Sequence, residues 1–185
     1  MKKLAAVCII GLVLGIAGVF AEDQQSDKEK FFFTKNHPDG WGIGVQVGGG
    51  NSGGGAALSL KIPALPIFWA VNLGFNSYYF GLGVSGDYYF IDKELVPAIK
   101  LGWYWGVGGY VGLGFWDDDH GPGYGNDDGG MSLALGVRSP IGLTWQPLKF
   151  LEVFLQAVPS IGLGIVPGVG LDWGIGGNLG IRFWF

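Results

Sequence analysis

Asn178-Leu179-Gly180-Ile181-Arg182-Phe183-Trp184-Phe185 closes the chain. Leu179, Ile181, Phe183 and Phe185 alternate with Asn178, Gly180, Arg182 and Trp184. Alternation with a period of two marks a strand with one apolar and one polar face. This strand ends on an aromatic carboxyl-terminal residue, and a soluble domain seldom leaves such a strand at its free end.

The same alternation recurs upstream and predicts eight strands, at about 41–49, 55–62, 67–75, 78–90, 98–116, 131–146, 150–164 and 169–185. In the fifth, Leu101, Trp103, Trp105 and Val107 oppose Lys100, Gly102, Tyr104 and Gly106. In the seventh, Pro159 costs a ladder hydrogen bond and predicts a bulge or a rim position. The proline-containing segments 62–66, 91–97 and 146–150 read as turns at one end. The segments around Asn51, Asn76, 117–130 and Pro167 read as loops at the other.

Composition supports strands over helices. The chain of 185 residues holds 37 glycines, 13 Phe, 8 Trp and 7 Tyr, with a mean hydropathy of +0.35. Glycine at this frequency disfavours helix interiors. Beyond the N-terminus no apolar run is long enough for a membrane helix, so the apolar content is spread over two-faced strands. Only helices and closed barrels satisfy every backbone polar group in lipid. An eight-stranded antiparallel up-and-down transmembrane β-barrel over 41–185 is the expected fold.

The N-terminus reads as a cleaved secretory signal over 1–21. Lys2 and Lys3 precede an uncharged apolar run from Leu4 to Phe20, and Val19-Phe20-Ala21 ends it. The run is short for a membrane span, which needs roughly 20 apolar residues. Cys8 lies inside it without a lipobox, and cleavage leaves no cysteine for a disulfide or a thiol nucleophile. Losing Lys2 and Lys3 takes Lys+Arg from 11 to 9 against 15 acids, a mature charge of −6. That balance argues against nucleic acid as a partner. Residues 22–40 read as a polar periplasmic lead-in in which Phe31-Phe32-Phe33 anchors at an interface or plugs the barrel mouth.

Seven strand charges fall on the face opposite the aliphatic residues: Lys61, Asp87, Lys100, Arg138, Glu152, Asp172 and Arg182. In a barrel the apolar face meets lipid and the polar face fills the lumen. Unpaired buried charges cost several kcal/mol, so a luminal ion-pair network is expected. Mixed charge argues for a plugged lumen. The many luminal glycines, which permit strong coiling, argue for an open one.

The terminal stretch resembles the β-signal of bacterial outer-membrane barrels, with Asn178, Gly180, Phe183 and Phe185 in its polar, glycine and aromatic slots. Strand number and alternation resemble the small eight-stranded barrels of the OmpA transmembrane-domain, OmpX and OmpW type. The resemblance implies a bacterial outer-membrane location, lipid as surroundings and the barrel assembly machinery as a partner. The chain ends at Phe185, so the soluble domain that follows an OmpA-type barrel is not expected.

Sites for chemistry are sparse. Asp117, Asp118 and Asp119, with His120, Asp127 and Asp128, lie in the 117–130 loop and form a weak candidate for a calcium site. Their spacing is not that of an EF-hand, and a solvated acidic loop is the plainer reading. No nucleophile-elbow motif accompanies the histidines, and Gly48-Gly49-Gly50 has no strand–helix unit with a lysine after it. No cofactor and no enzymatic activity are expected. The expected function is a structural or surface-interaction barrel, with an extracellular ligand at loop 117–130. The alternative is a narrow pore or a transporter for small solutes or hydrophobic molecules.

Overall fold

The computed structural model describes residues 36–50, 53–76, 79–116, 130–166 and 169–185. Strands are β1 (Gly42–Gly50), β2 (Gly53–Lys61), β3 (Ile67–Asn76), β4 (Tyr79–Val96), β5 (Leu101–Trp116), β6 (Gly130–Arg138), β7 (Ile141–Leu148), β8 (Leu151–Val166) and β9 (Gly170–Trp184). Every pairing is antiparallel, and β1 pairs with both β2 and β9, so the sheet closes on itself. The fold is an all-β antiparallel barrel. Gly42 and Trp184 pair at one end of the barrel, the near end, and the opposite end is the far end.

Nine strands make eight staves. β6 pairs with the far half of β5 and β7 with its near half. Trp105 pairs with Ile141 and Gly108 with Arg138, three residues further along each strand, so the register runs unbroken through Ser139-Pro140. The predicted sixth strand is therefore one stave with a gap in its ladder. Pro140 has no N–H to donate, although its carbonyl accepts from the Gly106 N–H at 2.9 Å. The Ser139 hydroxyl donates to the Gly106 carbonyl at 2.9 Å and accepts from the Trp105 indole at 2.9 Å. A side chain thus replaces the bond that proline cannot make.

Two expectations need correction here. Pro159 causes neither bulge nor rim: it sits within β8, opposite Ile175 with no change of register, and its ring is exposed on the outer face. The 91–97 segment is not a turn, because β4 continues to Val96. Its register against β5 shifts between Tyr89 and Ile91. The extra residue reverses the alternation, so Asp92 is buried on the inner side where an unbroken count would turn it outward. The real turn is a 3-10 turn at Pro97–Ile99 followed by Lys100 at φ 55.

Stepping from paired residue to paired residue, Arg182 leads through Gly44, Ser59, Ala70, Ser85, Tyr110, Gly136 and Gly162 to Asp172, ten residues from the start on the same strand. With about 3.3 Å per residue and about 4.8 Å between strands, that offset tilts the staves by about 40° and gives a backbone diameter of roughly 16 Å. Such a barrel is just wide enough for side chains to fill.

Outward positions form an exposed apolar belt that includes Ile43, Val45, Leu58, Val71, Leu82, Val107, Leu143, Leu155 and Ile181. Aromatic residues sit toward both ends of it. Trp41, Trp145, Phe150, Phe183 and Phe185 are exposed at the near end, and Phe75, Phe80, Phe115 and Trp173 at the far end. Trp105 and Phe183 point outward as part of this belt.

Candidate functional site: a plugged lumen and a far-end cavity

The lumen has two levels of different chemistry. The near half is filled. Residues 36–40 enter it ahead of β1, and His37 is buried there. The His37 backbone N–H donates to Asp92 Oδ2 at 2.9 Å. Nδ1 lies 2.8 Å from Asp92 Oδ1, and Nε2 lies 3.1 Å from Glu152 Oε1. Both ring nitrogens face carboxylates, which only accept when ionised, an arrangement that favours the doubly protonated imidazole. Burial opposes that charge, but the Glu152 and Asp92 carboxylates outweigh it and raise the His37 pKa from 6.5 to about 9.

Glu152 is the hub. Arg182 Nη1 bridges both its oxygens at 3.1 and 2.9 Å, the Thr144 hydroxyl donates at 3.1 Å, and the Trp184 indole donates at 2.8 Å. These donors, with His37, occupy the carboxylate on every side. Arg182 also donates from Nε and Nη2 to Ser59 Oγ at 3.3 and 2.9 Å. Its guanidinium lies 4.8 Å from the ring centres of both Phe68 and Phe154, within cation–π range of each. Phe68, Tyr89 and Tyr104 stack in series at 4.2 and 4.4 Å. The Tyr104 hydroxyl donates to Gln156 Oε1 at 2.9 Å. A buried ion pair offsets its desolvation only with such additional hydrogen bonds.

A second, smaller cluster lies further along. Arg138 Nε stands 3.0 Å from Asp87 Oδ1, too far off the N–H direction for a hydrogen bond between those atoms. Arg138 Nη1 donates to Ser85 Oγ at 3.0 Å, which also accepts from Asn72 Nδ2 at 3.3 Å.

Beyond it, a cavity of about 550 Å³ occupies the far half. Its walls are largely glycine, and its polar side chains include Gln46, Asn72, Tyr110, Arg138, Asp172 and Asn178.

The seven charges predicted to share the lumen thus separate. Glu152 and Arg182 meet in the plug, and Asp87 pairs with Arg138. Asp172 lines the far cavity. Lys61 is buried at the near end, where its ammonium donates to the Ile62 and Leu65 carbonyls at 2.8 and 2.7 Å and ties the turn. Lys100 is a correction. It lies in the near-end turn with 62 % of its side chain exposed, 3.1 Å from Glu94. A strand counted through 98–100 placed it inside; the left-handed turn takes it out.

Asn178 and Gly180 of the terminal stretch face inward, while Phe183 and Phe185 are exposed outside. A Cβ on Gly180 would stand 2.4 Å from Phe154 Cζ and 2.8 Å from Gln46 Cβ, so the folded barrel itself needs glycine there. Sequence reasoning missed His37 and Asp92. The first lies in a polar lead-in without periodicity, and the second follows the register shift.

The signal segment 1–21, the triple phenylalanine and Asp117, Asp118 and Asp119 in the 117–130 loop lie outside the described residues. Among the described residues, no group of three or more His, Cys, Asp or Glu could hold a metal ion, and no helix is long and apolar enough to cross a membrane.

Among solved structures, the crystal structure of neisserial surface protein A is similar to this chain, with a TM-score of 0.47 and 14 % identity over 78 % of this chain and 97 % of that one. No protein-family model matches the chain, and no curated protein matches it.

Proposed function

We propose that this chain is an integral outer-membrane β-barrel with a closed lumen, a structural or surface-interaction protein without enzymatic activity. The observation that carries the reading is the sorting of side chains across the wall. Apolar residues face outward around the whole ring, while Lys61, Asp87, Arg138, Glu152 and Arg182 face inward. In water such a belt is a large exposed apolar surface; in lipid it is the expected outer face of a barrel. The strands are long enough, since nine residues at about 3.3 Å each, tilted by about 40°, rise roughly 22 Å, near the height of a membrane barrel's apolar band.

In this reading both termini lie on the periplasmic side and the far end faces outward, with loop 117–130 offered to a partner. Asn178, Gly180, Phe183 and Phe185 serve as the assembly signal. The His37, Glu152 and Arg182 cluster seals the lumen, which favours a closed barrel over a pore.

Single-channel recording of the refolded protein in a planar bilayer tests this. A heat-modifiable, membrane-retained and electrically silent barrel is expected. Steady conductance would overturn the closed-lumen reading, and release by carbonate washing would overturn the membrane reading.

A further inference from the structure

We infer that the far-end cavity is a binding site for a small uncharged saccharide. The inference rests on the proposal that the near half of the lumen is sealed, which makes the cavity a dead end that can hold a solute but cannot pass it on.

The first observation is that part of the cavity's space is not demanded by the fold. At Gly48, Gly50 and Gly55, an added Cβ would run into the neighbouring backbone at 2.2, 2.6 and 2.2 Å. Glycine there is required by close strand approach. At Gly112, Gly164 and Gly176 the nearest atoms to an added Cβ lie at 3.9, 3.9 and 3.6 Å. These three also line the cavity. Glycine inside a strand lowers stability and offers nothing to pack, and here a larger residue would fit without conflict. What glycine retains at these positions is volume.

The second observation is unused polar capacity aimed into that volume. Gln46 is 5 % exposed and lines the cavity, yet its side chain hydrogen-bonds no described residue. The side chains of Asn178 and Tyr110 likewise make no hydrogen bond to a described residue. Their polar atoms are not among the buried side-chain atoms left without a partner, so they face open space in the cavity, where a solute can reach them. Amides offer donors and acceptors together, which suits hydroxyl groups that do the same. The Tyr110 ring lies along a wall made thin by Gly136 and Gly162, where an added Cβ would meet it at 2.8 and 2.4 Å. That ring can pack against the C–H face of a sugar.

Charge completes the argument. Arg138 and Asp172 are the charged residues lining the cavity, and Arg138 is committed to Asp87 and Ser85. A phosphate or polyanion site would need several converging cations. An apolar ligand would strip water from the Gln46 and Asn178 amides without compensation. The volume of about 550 Å³ lies within the range of small-ligand pockets.

The test is saturation-transfer difference NMR on the folded, detergent-solubilised full chain, with glucose and maltose as probes and glucose 6-phosphate as the anionic control. Gly112→Val and Gly176→Val fill the cavity, and heat-modifiable gel mobility reports whether each folds. Transfer to glucose or maltose that is lost in a folded filled variant is the expected result. No transfer to either neutral sugar, transfer unchanged by filling, or transfer to glucose 6-phosphate alone would overturn the inference. Conductance recorded on the same preparation shows separately whether the sealed-lumen reading fails.

Discussion

His37 and Glu152, 115 residues apart in sequence, meet at 3.1 Å inside the barrel. The contact ties a segment ahead of the first strand to the interior of β8, with Asp92 of β4 gripping the other side of the ring. Arg182 of β9 adds its charge on the far side of Glu152, and Tyr89, Tyr104, Phe68 and Trp184 enclose the imidazole. The stabilisation from this contact belongs to the protonated form. A group whose folded pKa is raised from 6.5 to about 9 contributes fully below 6.5 and loses its contribution as pH rises through 9. The melting temperature should therefore fall between about pH 7 and pH 10. His37→Gln should start lower and lack that step. Parallel profiles for the two proteins would contradict the assignment.

Glu152 faces both Arg182 and His37, so its removal leaves the buried Arg182 without a carboxylate partner and His37 with Asp92 alone. Glu152→Ala is expected to lower stability by about 3–5 kcal/mol, measured by denaturant unfolding in detergent. Arg182→Met combined with Glu152→Leu should cost less than the sum of the single changes, because an apolar pair leaves no charge unmatched. Additive losses would mean that the pair is not coupled.

The barrel was legible because alternation is a local property. Each strand shows its two faces in its own residues, and the terminal stretch shows them most clearly. Boundaries were lost where the alternation breaks. Phe90 enters as an extra residue, so the stretch from Ile91 to Val96 reads as a turn although it is strand. Lys100 keeps the parity of an inward residue but sits at positive φ in the turn itself. The apparent conflict between luminal charge and luminal glycine had a spatial answer that one dimension hides. The plug draws its charges from the near half, and the unhindered glycines Gly112, Gly164 and Gly176 line the far one. His37 was illegible for a stronger reason: its partners lie 55 and 115 residues away, and no period connects them.

Ser139 stands in for the missing donor of Pro140, and this makes the two positions energetically dependent. Ser139→Ala leaves the Gly106 carbonyl without that donor on the apolar outer wall and should cost about 1–3 kcal/mol. Pro140→Ala supplies an N–H to the ladder, and in that background Ser139→Ala should cost little. A double-mutant cycle read by unfolding in detergent measures the coupling. Equal costs in both backgrounds would show that the hydroxyl does not replace the ladder bond.

Gly180 occupies the glycine slot of the terminal signal and also lies under the Phe154 ring. The two roles predict different rescues. Gly180→Ala should destabilise the folded barrel, because its Cβ cannot share space with Phe154 Cζ at 2.4 Å. Phe154→Leu shortens the obstructing side chain and should restore much of the loss in refolding with purified protein, where no assembly machinery is present. If Gly180→Ala refolds as well as the parent in detergent yet fails to reach the membrane in cells, recognition rather than packing governs the position. A defect in both settings, relieved in the first by Phe154→Leu, assigns the glycine to packing against the neighbouring strand.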